Sequence, residues 1–600
     1  MKMKTLALLL AAVMVLGLFG ACGSTSGSAA PAESAASLDA SAAPEASQAE
    51  EPADEEEDSS LEPADEEADS DAEEEPAEEE PEEEPAEKGP FVAAPADNLP
   101  LSDGAVLTYF VELPGYMSMF NVNSYDDLEV WQHAEELLGV DVDFTIVNNE
   151  SMSTTFSLMI ASGDITDLVS GGSSMYSNTE QMMDDGVAID LMEYKDQMPN
   201  YWNVLDYYSD YKKVAITQDG LMPEVITVSD DYRVSGGMQI RQDWLDDMGA
   251  EIPTTFDELH DVLLSFTNNY GADHALLLTG STQMMGSALV GGFGTIGFDS
   301  SDSTSNMFVM DGEVKNGFLA DGYKEYMAMM AQWYSEGIIA SDFASESNDP
   351  WTSNADRYIS NGNSGVWTSQ SDNMDSNQAT GEDLTPGYMI SPMAQITKDG
   401  GKFHFADSGV GANAMGKNIS ISEDCEDVDL ALAFLDFWYT DDGIKLGNYG
   451  IEGVSWDYND EGKPELNDAV LHSDVFPMVS FATTYYTLAC VATLQDYHRM
   501  DPAYTQKNLD AMTLWTETSD DLYTMPSQVE LNYDETNRYS DLWSDISTYA
   551  ATEVFKFVMG EYNFDADWDS FIAQLHSMGL DECVDLYQAA YDRYLEAYGE

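Results

Sequence analysis

Between residues 106 and 146 the apolar residues change period twice, and that change limits the folds open to this chain more than any other feature. Val106, Leu107, Tyr109, Phe110 and Val111 form a β-branched and aromatic run, which predicts a strand. Pro114 and Gly115 mark a turn, after which Leu128, Trp131, Ala134, Leu137 and Leu138 recur at helical spacing. Val140, Val142, Phe144 and Ile146 then alternate with Asp141, Asp143 and Thr145, as the two faces of a strand do. A strand, a helix and a strand within about forty residues make a βαβ unit, whose crossover demands a parallel sheet. The expected fold class is α/β.

With 600 residues, 43% of them hydrophobic and 11% aromatic, the chain outgrows a single hydrophobic core and should build at least two lobes. Its 113 acidic and 21 basic residues leave a net charge of −92. Such a field repels phosphates and offers no basic stripe, so nucleic acid is excluded as a partner. It also disfavours a polyanionic solute, although a local Arg cluster can override the global field at short range.

Much of that charge belongs to an address and a tether. Lys2 and Lys4 precede an apolar stretch from 6 to 19 and then Gly20, Ala21 and Cys22. This layout predicts a signal peptide over 1–22, too short for a permanent membrane span. Leu18-Phe19-Gly20-Ala21-Cys22 resembles the bacterial lipobox, which implies a lipid on Cys22, palmitate among its acyl chains. Residues 23–100 are Ala, Ser, Pro and acidic residues, with 50–88 almost continuously acidic. They have nothing to bury and read as a disordered, self-repelling spacer. Beyond Cys22, the thiols of Cys425, Cys490 and Cys583 show no zinc spacing. One disulfide plus one free thiol is their simplest oxidised outcome, with the pair left open.

The folded part begins near Leu101. Residues 156–161 read as the end of a helix broken by Ser162, Gly163 and Asp164, and Leu168 and Val169 lead into Gly171 and Gly172. Thr255 and Glu258 have the spacing of a capping box before the apolar face Leu259, Val262, Leu263 and Phe266. Amphipathic helices are expected again over 323–333 and 430–439.

Several of these segments together resemble a family. Ala161-Ser162-Gly163-Asp164-Ile165-Thr166-Asp167-Leu168, Ile240-Arg241-Gln242-Asp243-Trp244-Leu245, Pro253-Thr254-Thr255-Phe256-Asp257-Glu258-Leu259, Trp333-Tyr334-Ser335-Glu336-Gly337-Ile338-Ile339 and Asn448-Tyr449-Gly450-Ile451-Glu452-Gly453 are similar to successive signatures of bacterial family 1 extracellular solute-binding lipoproteins. Tyr591-Asp592-Arg593-Tyr594 is similar to that family's closing helix. The resemblance runs in order over 101–600. It implies a periplasmic-binding-protein-like fold of two α/β lobes joined by hinge segments around a ligand cleft. One lobe would hold about 101–227 and 405–470, the other about 228–404 and 471–600.

Chemistry of other kinds finds little support. Gly292-Phe293-Gly294-Thr295-Ile296-Gly297 fits GxGxxG but runs into Asp299-Ser300-Ser301-Asp302-Ser303, a loop, where a dinucleotide site needs a helix. Asp457, Asn459, Glu461 and Gly462 partly imitate a calcium loop, but Lys463-Pro464 and the lack of flanking helices favour a surface hairpin. No GxSxG, HExxH or histidine ligand spacing is present, and 113 carboxylates make a glycosidase pair unrecognisable. No cofactor, metal or catalytic residue is expected.

Sugar rings present flat C–H faces to Trp and Tyr and hydroxyls to polar side chains. On that ground Trp367 and Asp372, at the end of a short strand, are candidate ligand contacts, with Trp456 in a glycine-rich loop, Tyr116 after the first strand, and Arg241 and Asp243 at a helix start. Trp244 reads as core. The expected function is reversible capture of a small neutral solute, an oligosaccharide by the family resemblance, by a monomer anchored through lipid on the outer face of the membrane and delivering to an ABC permease. An extracellular carbohydrate-active enzyme and a surface adhesin or cell-wall module stay open as alternatives.

Overall fold

The computed structural model describes residues 89–176, 178–278, 289–297, 306–343, 358–406, 418–476 and 478–598. The signal segment, Cys22, most of the acidic tether, and Asp299 to Ser303 lie outside the described residues. β1 (Ala105–Glu112) and β2 (Val140–Val147) pair in parallel, Ala105 beside Val140 and Glu112 beside Val147. The crossover helix Glu129–Leu138 buries Val130, Trp131, Ala134 and Leu138 against them. It stops at Gly139, where φ is +63° and a Cβ would lie 2.1 Å from the carbonyl oxygen of Ser102. Backbone handedness and close approach both require glycine there.

Helix Asn149–Ser162, capped by the Asn148 side chain accepting from the Ser151 amide at 2.9 Å, leads to β3 (Leu168–Ser170), parallel to β1 on its other side. After β4 (Val228–Ser229) the chain enters a second sheet with β5 (Gly236–Arg241) and β6 (His274–Leu276). A hairpin of β7 (Met307–Met310) and β8 (Glu313–Asn316) follows, then β9 (Ser364–Gln370) and β10 (Ile390–Pro392). β11 (Ile419–Ile421) returns to the first sheet, antiparallel to β3. A second hairpin pairs β12 (Trp456–Tyr458) with β13 (Pro464–Leu466), and β14 (Leu494–Gln495) lies parallel to β4. Helices Gln506–Thr518, Tyr533–Val558, Phe564–Ser577 and Leu580–Tyr598 complete the chain. The two four-stranded sheets have the orders β11-β3-β1-β2 and β10-β5-β9-β6.

Each sheet carries its own core. Leu107, Tyr109, Trp131, Leu432 and Trp438 pack on the first; Ile240, Leu263, Phe266, Trp333 and Phe557 pack on the second. Leu488, Cys490, Val491 and Leu494 belong to the first core, although the expected boundary assigned everything after 470 to the other lobe. The parallel pairing of β14 with β4 holds this segment there.

Several local expectations shift by a residue or two. Thr255 accepts from the Glu258 amide at 3.2 Å, but the Glu258 carboxylate turns to the amide and hydroxyl of Thr254, at 2.9 and 3.0 Å, rather than to Thr255. Those donors hold its carboxyl below the usual range. The strand expected to end at Trp367 continues through Thr368 and Ser369 to Gln370, because β5 offers partners as far as Gly236. Gly291–Phe293 forms a 3-10 turn and Gly292 packs on the carbonyl of Ile396, so the glycine run does not open a helix. Asp457 to Gly462 lies in the β12–β13 hairpin, where the Asn459 side chain accepts from the amides of Glu461 and Lys463.

The three described cysteines are free and buried. Cys425 and Cys490 sit in the first core and Cys583 in the second, so the expected disulfide is not formed. Burial pushes the thiols of Cys425 and Cys583 up to about 12. Thiolates react and thiols do not; these three should therefore stay unmodified by Ellman's reagent in the native protein and all react after unfolding in guanidinium.

One buried cation is fully occupied. Arg241 is 1% exposed; its Nε and Nη2 donate to the two carboxylate oxygens of Asp243 at 2.8 and 2.7 Å, and its Nη1 donates to the Gly362 carbonyl at 3.2 Å. The guanidinium lies 4.0 Å from the ring centres of both Trp244 and Tyr388. Removing one partner of a buried ion pair typically costs about 3–5 kcal/mol. Chemical denaturation of Arg241→Ala should show a loss of that order, and Arg241→Lys should recover only part of it, since an ammonium lacks the planar fork.

Candidate functional site

Ligands of open α/β sheets bind beyond the carboxyl ends of the strands, where loops leave backbone groups free. In the first sheet those ends are the loops after β1, residues 113–116, and after β3, residues 171–174. Tyr116, partly buried, shares a hydrogen bond with the Thr484 hydroxyl at 2.8 Å and stacks on Phe481 with ring centres 4.6 Å apart. The loop after β3 is set from beneath by Glu224, 4% exposed, which accepts from the Ser173 amide at 3.1 Å. Burial raises the Glu224 carboxyl above its ordinary range, against the opposing pull of the Ser173 and Gly172 donors.

In the second sheet the carboxyl end of β9 leads to Ser371, Asp372 and Asn373. The Ser371 amide donates to the Ser235 carbonyl at 2.8 Å, which joins this end to the segment entering β5. The Asn508 side chain donates to the Ser371 carbonyl at 2.5 Å. From the same helix Trp515 lies on Gly237, where a Cβ would come within 2.4 Å of the indole, and donates to the Met393 carbonyl at 3.0 Å. The strand ends of the two sheets therefore border the two stretches by which the chain leaves the first core, 230–235 after β4 and 496–505 after β14.

These two crossings are joined mainly by side chains. The last backbone links are the Val228 amide on the Thr493 carbonyl at 3.0 Å and the Asp230 amide on the Gln495 carbonyl at 3.1 Å. Beyond them the Tyr497 amide donates to Asp230 at 2.8 Å, Arg233 pairs with Asp501 at 2.5 Å, and the Arg233 guanidinium lies over the Tyr497 ring. His498 has one ring nitrogen 2.8 Å from Asp501 and the other 2.8 Å from Asp231. Tyr504 is nearby; burial first, then the carboxylate of Asp372, pushes its hydroxyl up to about 12.

The sequence-derived candidates divide accordingly. Tyr116 and Asp372 stand at strand ends that border the crossings. Arg241 and Asp243 stand at the opposite edge, because β5 is antiparallel to β9 and places Gly236 beside Gln370. Five residues of strand separate Arg241 from that end by about 17 Å. Trp367 is 2% exposed among Met374, Tyr388 and Trp515 and donates its indole N–H to Gln239 at 3.0 Å. Trp456 is 4% exposed and donates to the Gly450 carbonyl at 3.0 Å. Both are core tryptophans here, since the polar runs beside them stay in strand or turn. Sequence reasoning missed Glu224, Arg233, Tyr497, His498 and Tyr504. The mixed aromatic and charged stretch 497–504 was the available signal, but its partners lie some 264 residues earlier in the chain.

A cavity of about 620 Å³ is lined by Thr267, Asp273, Tyr334, Ser335 and Ser341, among others. It lies at the amino end of β6, away from the crossings. No group of metal-ligating side chains occurs among the described residues, and no described helix is long and apolar enough to cross a membrane.

Known proteins share this architecture. The alginate-binding protein in its calcium-free form has a TM-score of 0.64 at 21% identity, covering 82% of this chain and 99% of that one. A solute-binding protein of Bifidobacterium longum infantis, described as HMO-binding, has a TM-score of 0.65 at 18% identity over 82% and 99% of the two chains. In sequence, the fructooligosaccharide ABC transporter substrate-binding protein of Streptococcus pneumoniae is 23% identical over 499 residues, 78% of this chain and 87% of that protein. The polygalacturonan/rhamnogalacturonan-binding protein of Bacillus subtilis is 21% identical, over 76% and 86%. Residues 129–445 match the family described as bacterial extracellular solute-binding protein, and with two α/β lobes joined by hinge segments the chain belongs to that family.

Proposed function

We propose that this protein captures a neutral oligosaccharide reversibly between its two lobes, releases it unchanged, and delivers it to the permease of an ABC importer. The lobes in this reading are the bodies built on the two sheets, and their closure shifts the population toward the liganded state. The protein acts as a monomer at the outer face of the cell membrane, held by lipid on Cys22 and spaced from it by the acidic tether.

The relatives' named ligands include both neutral and acidic glycans, so charge at the strand ends must decide between them. One observation carries the choice: the cations bordering the crossings are already held by carboxylates. Arg233 pairs with Asp501 at 2.5 Å, Lys507 with Asp375 at 3.1 Å, and Arg499 lies among Asp496 and Asp230. An uronate would have to compete for those partners in a strongly negative field. Arg357 and Lys417 lie outside the described residues. Aromatic faces suit a neutral sugar; Tyr116 supplies one, and Tyr232, 48% exposed on the first crossing, supplies another.

A thermal-shift panel of kestose, maltotriose, cellotriose and trigalacturonate tests this reading. A ligand at a hundredfold over its dissociation constant adds about 2.7 kcal/mol to the folded state, a readable rise in Tm. A neutral trisaccharide should raise Tm and be recovered intact, and trigalacturonate should not. A shift by trigalacturonate alone would remove the neutral assignment, recovery of cleaved sugar would make the protein an enzyme, and a flat panel would favour the adhesin. For the anchor, Cys22→Ser should move the protein from the membrane fraction to the medium; retention in the membrane fraction would refute lipid attachment at Cys22.

A further inference from the structure

His498 is the one described side chain whose two ring nitrogens meet carboxylates from both crossings. Asp231 comes from the stretch after β4 and Asp501 from the stretch after β14, each at 2.8 Å. Asp501 uses its other oxygen for Arg233, so four charged groups form a chain across the gap: Asp231, His498, Asp501, Arg233. Around them stand Asp230 and Asp496, which accept from the amides of Tyr497 and His498, together with Arg499 and the phenols of Tyr497 and Tyr504. Asp372, at the end of β9, faces Tyr504.

An imidazolium has two N–H donors and satisfies both carboxylates, whereas a neutral imidazole has one donor and presents a lone pair to the second. With one donor the link is lost on one side, and two carboxylates then face each other across an uncharged ring. The backbone cannot compensate, because the ladder between the crossings ends at Asp230 and Gln495.

We propose that His498 is a positioning residue for solute capture: in its protonated form it clamps the two crossings together and pre-orders the hinge, so that binding tightens in acid and weakens as the ring loses its proton. The proposal rests on the capture reading above for its consequence, and on the geometry alone for the clamp. Burial works against the imidazolium, but the hydrogen bonds to Asp501 and Asp231 outweigh it and hold the pKa above the ordinary histidine value. A group raised in the folded state stabilises fully below its unfolded value, near 6.5, and that stabilisation is lost as pH rises through the higher folded value. The window therefore opens above about 6.5. Pre-ordering matters because residues that bind already ordered do not have to be immobilised on binding.

Hydrogen exchange of the ligand-free full chain, corrected for intrinsic pH dependence, reads the clamp in peptides covering 228–236 and 494–505. Protection in the wild type should fall between pH 6 and 8.5. It should be low and flat in His498→Gln, and high and flat in His498→Arg, which keeps two donors and a permanent charge. Asp231→Asn should move the step to lower pH. All four positions are at least partly exposed or replaced conservatively, and global Tm separates loss of the clamp from loss of the fold. The same series with kestose should show affinity several-fold weaker at pH 8.5 than at pH 6 in the wild type, without that step in His498→Gln. A protection step that survives in His498→Gln overturns the proposal. If kestose binds at no pH, the exchange data decide alone: a step confined to proteins that keep His498 upholds the clamp, and its absence overturns it, while the failure to bind counts against the capture reading for that sugar.

Discussion

Two residues of parallel ladder on each side, Val228–Ser229 against Leu494–Gln495, are the last backbone pairing that the two crossings share. Backbone hydrogen bonds fix strand spacing and direction within narrow limits. Side-chain links can lengthen, rotate or exchange partners. Everything that couples the crossings beyond Gln495 is of the second kind: Asp230 on the Tyr497 amide, Arg233 on Asp501, His498 between two carboxylates. The rigid bodies on either side are large and well filled, with Trp131 and Trp438 in one and Trp333 and Phe557 in the other. Deformability is thereby concentrated in a short polar strap beside the strand ends, which is the arrangement that a binding protein with moving lobes needs.

A chain with 113 acidic residues must also bury some of them, and it does so by giving each buried carboxylate several donors. Asp436 accepts from the amides of Asn200 and Tyr201, both at 2.9 Å, and from the Asn200 side chain at 2.7 Å, thereby capping the helix Pro199–Tyr207. Glu224 accepts from the loop after β3 in the same manner. Burial nonetheless raises both carboxyls. Glu530 follows the pattern across a longer span. Its carboxylate accepts from the Thr179 hydroxyl at 3.2 Å, and its carbonyl accepts from Gln218 at 3.2 Å, so the segment before helix Tyr533–Val558 touches the body built on the first sheet.

Legibility in the sequence tracked the range of the interaction. The βαβ unit was readable because residues 106–146 carry their own strand and helix periods, and the structure moves those bounds by a residue or less. Thr255 was readable as a cap because its amide partner is three residues away. Trp367 and Trp456 misled for one reason: a tryptophan beside a polar run looks exposed, yet Gln239 and the Gly450 carbonyl satisfy the two indoles within the core. Arg241 and Asp243 were read correctly as neighbours and placed at the wrong edge of the sheet. Strand direction decides that, and β5 gives no local sign that it runs against β9.

By itself the sequence determined the α/β class, the confinement of the fold to the chain beyond the acidic tether, the separate cores and the family, because each rests on local period, composition or short motifs. The tertiary structure alone decided which residues meet at the strand ends and across the crossings. Tyr116 finds Phe481 and Thr484, Asp231 finds His498, and Arg233 finds Asp501 only because β4 and β14 lie side by side. Such contacts join positions more than 260 residues apart, and no periodicity in a one-dimensional chain encodes a pairing whose geometry is set by the packing of two whole sheets.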